Sequence, residues 1–238
     1  MKPAGWVVWS DEWLLAINKP AGLPTLPDGY DRQALHVKSA LEPLYGHLWI
    51  IHRLDKETSG ILLLARSVDA HRQLNTQFES HQVYKIYHAL VVGVPQWQEA
   101  LADQPLLPDG DRRHRTIVDW QGGKSAQTRL RVLERFGGFS LVEAHPLTGR
   151  THQIRAHLAA LGYPIVADSL YGDSRGVFLS ELKPGIHKDR SGESAVIQRL
   201  GLHALQLDFT HPESGEKQSI QAPYAKDLAG ALRQLRRY

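Results

Sequence analysis

Five consecutive apolar residues, Ile61, Leu62, Leu63, Leu64 and Ala65, stand between Gly60 and Arg66 and constrain the fold more than any other stretch. A short unbroken apolar run closed by a glycine and a charge suits a strand covered on both faces, since a strand with one wet face would alternate. The residues ahead of it have the opposite character. His52, Arg53, Asp55, Lys56, Glu57, Thr58, Ser59 and Gly60 crowd polar, charged and kink-permitting groups directly before the buried strand. A loop carried by a rigid strand holds a reactive group in position, and Asp55 is the acid in that place. Taken alone, an Asp in this place more often caps a turn or pairs with a neighbour such as Arg53 or Lys56.

The remaining pattern predicts a mixed architecture. Val7 to Lys19 reads as two short strands around a Ser-Asp-Glu turn, closed by the breaker Asn18-Lys19-Pro20-Ala21-Gly22. A helix is expected near Gln33 to Tyr45, with Val37, Leu41 and Leu44 on one face, and a second over Val68 to His81, where Ala70, Leu74 and Phe78 recur every four residues. The β-branched and aromatic stretch from Val83 to Gly93 predicts a strand. Gln96 to Gly123 reads as loops with short hairpins, and strands follow near Ala126–Leu133 and Phe139–Ala144. Ile154, His157, Leu158 and Leu161 keep helical spacing up to Gly162. Residues 173–195 read as a surface insertion. A late strand near Leu202 precedes a helix from about Ala225 that turns Leu228, Leu232 and Leu235 inward. Many short strands with about four helices imply an α+β class with a mixed, largely antiparallel sheet core and flanking helices.

With 238 residues, 42% of them hydrophobic, the chain can bury one sizeable core, and nothing in it marks a linker; a single domain over 1–238 is expected. Cysteine is absent, so disulfides, thiolate nucleophiles and cysteine-held metals are excluded. No apolar run approaches the roughly 18 residues that cross a bilayer, which makes the cytoplasm the expected location and leaves no membrane partner. A formal charge of +3, a pI of about 9.1 and 13 histidines permit nucleic-acid binding without requiring it.

Five stretches, taken in order, resemble one family. His-Arg-Leu-Asp at 52–55 followed by Thr-Ser-Gly at 58–60 resembles the signature of the RluA-family pseudouridine synthases, in which it carries the catalytic aspartate. Asn18 to Gly22 resembles the family's N-terminal motif, and Lys85-Ile86-Tyr87-His88-Ala89-Leu90-Val91 its Lys-x-Tyr-x-Ala-x-Val strand. Pro146 to Asp168 is similar to its arginine-bearing motif, and Leu200 to Pro212 to its last strand. The resemblance covers residues 6–224 and implies a pseudouridine-synthase-like catalytic domain. It resembles the compact branch without an S4 RNA-binding domain, so no S4 domain is expected.

By that resemblance Asp55, Tyr87 and Arg150 are catalytic, while Arg53, His52, Lys19 and Ile154 bind substrate. Isomerising uridine to pseudouridine breaks a C–N glycosidic bond and forms a C–C bond at the same sugar carbon. No atom or electron is gained, so no cofactor and no metal are expected. Asp55 acts as the ionised carboxylate, either as nucleophile or in forming a glycal. Shielding from water drives a carboxylate toward its protonated form, so a fixed cation must oppose it, a role assigned to Arg150. Tyr87 offers a flat face to a flipped uracil and a hydroxyl that can relay a proton, and Arg53 supports the displaced nucleotide. Lys19, Lys56, Lys85, Arg112 to Arg115 and the C-terminal arginines are candidate phosphate contacts. The expected partner is structured RNA, tRNA or rRNA, with no DNA, acted on by a monomer. The competing readings are a noncatalytic RNA-binding or chaperone module of the same fold, and a hydrolase with Asp55 as nucleophile, for which no water-activating partner is evident.

Overall fold

The computed structural model describes residues 2–27, 34–178, 180 and 195–237. They form two compact units that the chain visits alternately: the first holds the residues up to Ile86 with His203–Pro223, the second Tyr87–Leu202 with the residues from Tyr224 on.

In the first unit, β1 (Val7–Ser10) and β2 (Leu14–Lys19) form an antiparallel hairpin. Asp11 shapes its turn, because Oδ1 accepts the N–H groups of Trp13 and Leu14 at 2.8 and 2.7 Å. The expected first helix is α1 (Val37–Tyr45), capped by His36, whose Nδ1 accepts the Ser39 N–H at 3.2 Å; Gln33 lies outside the described residues. After the two-residue strand β3 (Trp49–Ile50) comes β4 (Ser59–Ala65), buried at every residue as the apolar run predicts. The helix α2 (Val68–Glu79) follows, with Ser67 Oγ accepting the Ala70 N–H at 3.1 Å. Late in the chain, β11 (Leu202–Thr210) and β12 (Lys217–Gln221) return to this unit. The strand order is β1-β2-β4-β11-β12, with β3 also on β4; among the described strand pairs within this unit, β4–β11 is parallel and the others are antiparallel. That pair explains Gly60, whose φ is 115° and whose absent Cβ would lie 2.1 Å from the Ala204 carbonyl oxygen. Beside it the buried His203 donates Nε2–H to the Ala222 carbonyl (3.1 Å) and accepts the Ser59 hydroxyl at Nδ1 (2.9 Å).

The second unit contains β5 (Tyr84–Val92) from Tyr87 onward, β6 (Glu99–Ala102), the ribbon β7 (Leu106–Leu107) and β8 (Ile117–Val118), β9 (Thr128–Arg135) and β10 (Phe139–Pro146). Its antiparallel order is β5-β10-β9-β6, with Tyr87 opposite Ala144 and His88 opposite Glu143. Helix α3 (Gln153–Ala160) buries Ile154 and Leu158 against Ala89, Val91, Leu130, Val132, Val142 and Ala144. Successive side chains of a strand point to opposite faces, and the other face packs Leu90 and Leu141 against Leu228, Leu232 and Leu235 of α4 (Lys226–Leu235). Both ends of the expected 173–195 insertion are anchored, since Val177 bridges Ile197 and both are buried; residues 179 and 181–194 lie outside the described ones. The class is therefore α+β, mixed and mostly antiparallel, as the sequence pattern implies. Among the described residues, no helix is long and apolar enough to cross a membrane.

Candidate active site

Asp55 stands in the loop between β3 and β4, half-buried, and the backbone on either side of it is clamped by residues 19–25. On the N-terminal side, Thr25 Oγ1 donates to the Leu54 carbonyl at 2.9 Å and accepts the Leu54 N–H at 3.2 Å. On the C-terminal side, the Lys56 carbonyl accepts both the Gly22 N–H at 2.8 Å and the Lys19 ammonium at 3.0 Å. The Thr58 N–H closes the turn on the Asp55 carbonyl at 3.1 Å. Four hydrogen-bonding groups thus fix the main chain within one residue of the carboxylate, which is how a loop acquires the rigidity a reacting group needs. Arg53, in the same loop, is exposed.

Two residues expected to touch substrate do something else. Lys19 is wholly buried, and its Nζ donates to the carbonyls of Pro20, Leu23 and Lys56 at 2.9, 2.7 and 3.0 Å. A buried ammonium is tolerable only when its donors are satisfied, and here satisfying them ties the Pro20–Leu23 turn to the Asp55 loop. The Lys19 ammonium is thereby committed to backbone carbonyls and is not exposed to a phosphate. His52 accepts the Leu63 N–H at Nε2 (3.0 Å) and stacks on Phe78, ring centroids 4.8 Å apart. Burial pushes its pKa down to about 3, helped by the charge of Lys85, so it is a neutral structural acceptor and not a cation for RNA. Thr25, which completes the clamp, carries no signal in the sequence beyond lying near the Asn18–Gly22 motif.

In the second unit, Tyr87 is half-buried on β5 and packs against the core beneath α3. Ile154 is 6% exposed and belongs to that core, so it is a packing residue. The two arginines of the segment before and within α3 have different fates. Arg150 is half-buried and rests its Nε on the Ser125 carbonyl at 3.0 Å. Arg155 is buried; its Nε and Nη2 each meet an oxygen of Asp168 at 2.8 Å, and its guanidinium carbon lies 5.0 Å from the Tyr171 ring centroid. Asp168 also accepts the N–H groups of Leu170 and Tyr171 at 3.0 and 3.1 Å. Of the two, Arg155 is the one fixed and desolvated by a bidentate acid, whereas the Arg150 guanidinium is held by one backbone carbonyl. The signal that could have marked Arg155 is Asp168, the lone acid that follows the apolar stretch Pro164 to Ala167. His152, which opens α3 in the left-handed region at φ 53°, meets the Tyr171 hydroxyl at 3.1 Å.

The basic cluster is also partly committed. Arg115 pairs with Asp111 at 2.7 Å and donates to the Leu170 carbonyl, and Arg113 donates to the Ser169 carbonyl at 2.8 Å. Among the described residues, no group of three or more His, Cys, Asp or Glu side chains is placed to hold a metal ion.

Comparison with known proteins gives the class to which this clamped aspartate loop on an α+β scaffold belongs. The family described as RNA pseudouridylate synthase matches residues 13–160. Ribosomal large subunit pseudouridine synthase C of Vibrio cholerae is 38% identical over 232 residues, spanning 97% of this chain and 69% of the relative. The C enzyme of Escherichia coli strain K12 is 36% identical over 237 residues, spanning 97% and 70%. The structure titled Human RNA Pseudouridylate Synthase Domain Containing 4 superposes with a TM-score of 0.77 at 28% identity, covering 98% of this chain and 94% of that one. The chain belongs to the RNA pseudouridine synthase family, in its RluA branch. It is accordingly an RNA-modifying isomerase.

Proposed function

We propose that this enzyme isomerises uridine in large-subunit ribosomal RNA, in the cytoplasm, with Asp55 as the reactive carboxylate. The names of the relatives support that choice of RNA. The observation that carries the residue assignment is the clamp on Leu54 and Lys56, which spends a buried lysine and a buried threonine on immobilising the backbone around one acid. Such an arrangement serves a group that must meet a flipped nucleotide in one orientation. The N1–C1′ bond breaks, uracil turns, C5 bonds to C1′, and the proton lost from C5 is balanced by one gained at N1. Asp55 must be ionised to begin, whether it attacks the sugar carbon or assists glycal formation. Tyr87 is the phenol that faces the base and moves a proton. Arg155 supplies the fixed cation, because its plane is already set by Asp168 and it need not be ordered during reaction. Arg53, exposed beside Asp55, supports the displaced nucleotide.

The test is pseudouridine mapping in RNA from a deletion strain carrying plasmid-borne variants. Asp55→Asn should restore no modification while keeping fold and RNA affinity, Arg155→Lys should lose most activity, and Arg150→Lys should keep most of it. Turnover by a folded Asn variant, with deamidation excluded, would remove Asp55 from the chemistry. Full activity in Arg155→Lys, with loss in Arg150→Lys, would return the cationic role to Arg150.

A further inference from the structure

Trp120 is 74% exposed, the most exposed large apolar side chain among the described residues. It does not dangle on a loose loop. It sits at the apex of a turn of residues 119–123 that is braced throughout. The Gly123 N–H bonds the Asp119 carbonyl at 3.0 Å, and the Asp119 N–H bonds the Pro105 carbonyl at 3.0 Å. Asp119 Oδ1 accepts the N–H groups of Gln121 and Gly122 at 2.8 and 2.9 Å, which consumes its charge locally and holds its carboxyl below the usual range. Lys124 exchanges both backbone bonds with Leu106 at 2.9 Å. Gly123 is pressed so closely on this frame that a Cβ would lie 2.3 Å from the Asp119 carbonyl oxygen and 2.9 Å from the Pro105 carbonyl carbon.

A large indole held out into water on a rigid support is costly to hydrate and loses little conformational entropy when covered. What covers it is indicated by its surroundings. Its neighbours Gln121, Gly122, Lys124 and Ser125 are exposed and polar, with none of the apolar area that forms the centre of a protein interface. The cations nearest along the chain and across its hydrogen bonds are Lys124 and Arg150, the latter resting on the Ser125 carbonyl. An exposed indole on a turn that leads into Lys124, with Arg150 held on the Ser125 carbonyl, is the chemistry that captures an unpaired nucleobase and its phosphates.

We propose that Trp120, with Lys124 and Arg150, forms an RNA-capture platform on which an unpaired base of the substrate stacks, separate from the residues assigned to bond rearrangement. The inference rests on the proposed function in taking RNA as the ligand. It gives Arg150 a binding role in place of a chemical one.

Binding and single-turnover modification are measured on an unmodified large-subunit rRNA transcript, and intrinsic fluorescence is titrated with a short oligouridylate. Trp120→Ala should weaken transcript binding by roughly 5- to 100-fold, the range of one base–aromatic stack, while the single-turnover rate at saturating enzyme stays that of the wild type. Trp120→Phe should weaken binding less than about threefold, since a ring remains. Oligouridylate should quench a fluorescence component present in the wild type and missing from Trp120→Phe. An Ala variant with wild-type affinity, an Ala variant slowed at saturation, or quenching identical in wild type and Trp120→Phe would each overturn the platform. A wild-type enzyme that fails to modify the transcript would instead count against the ribosomal target, and the fluorescence titration would still decide Trp120.

Discussion

Lys19 and His52 show how far a side chain's role can depart from its charge. Both are basic and both border the Asp55 loop, yet each is spent on backbone groups: Lys19 on three carbonyls, His52 on the Leu63 N–H. The histidine has a measurable consequence. Its folded-state pKa, pushed down to about 3 from 6.5, means that the folded protein binds fewer protons at this site than the unfolded chain between those values. Stability is therefore full above the unfolded pKa and falls as pH drops through that window, with a slope of at most about 1.4 kcal/mol per pH unit from this one group. Urea unfolding at pH about 7 and about 4.5 should show a smaller loss for His52→Gln than for the wild type. An equal loss in both would mean that His52 is not buried as a neutral acceptor. Arg150 and Arg155 make the same point for function, because two arginines five positions apart in one motif differ in whether a buried acid holds them.

At the level of elements, the strongest local signals matched the observed structure. The apolar run at 61–65 is a strand buried throughout, the every-fourth-residue pattern from Val68 gives a helix that stops at Glu79 rather than His81, and the C-terminal stripe of Leu228, Leu232 and Leu235 faces inward. The neighbours of an element were less legible. Gly60 reads in the sequence as a kink-permitting boundary of the strand, and in the structure it is a packing requirement set by Ala204 on a strand 144 residues later along the chain, the same separation that joins Ser59 to His203. Gly60→Ala forces a methyl group into backbone at 2.1 to 2.7 Å and a side chain into φ 115°. The overpacking and backbone terms together predict a loss of roughly 3 kcal/mol or more. The Ala variant should show a much lower midpoint in urea unfolding, and wild-type stability there would refute the parallel β4–β11 contact as a constraint.

At the scale of the whole molecule, the chain leaves the first unit after Ile86, returns at His203 and leaves again after Pro223. Neither unit is a continuous piece of sequence. A fragment ending at Ile86 lacks β11 and β12, so the Ser59–Gly60 end of the fully buried β4 loses its parallel partner strand. Such a fragment should be unfolded or aggregated by circular dichroism and sedimentation, and a soluble fragment with native-like sheet would show that β11 is dispensable to this unit. What the sequence by itself determined is what short-range spacing encodes: the class, the order of elements, the buried strand, and the acid placed ahead of it. Only the tertiary structure decided which basic groups are buried and which arginine is anchored. Burial and pairing depend on partners brought from far along the chain, such as Lys56 for Lys19, 37 residues away, and Asp168 for Arg155, 13 residues away. A charge's environment, unlike its periodicity, is not written in its neighbours.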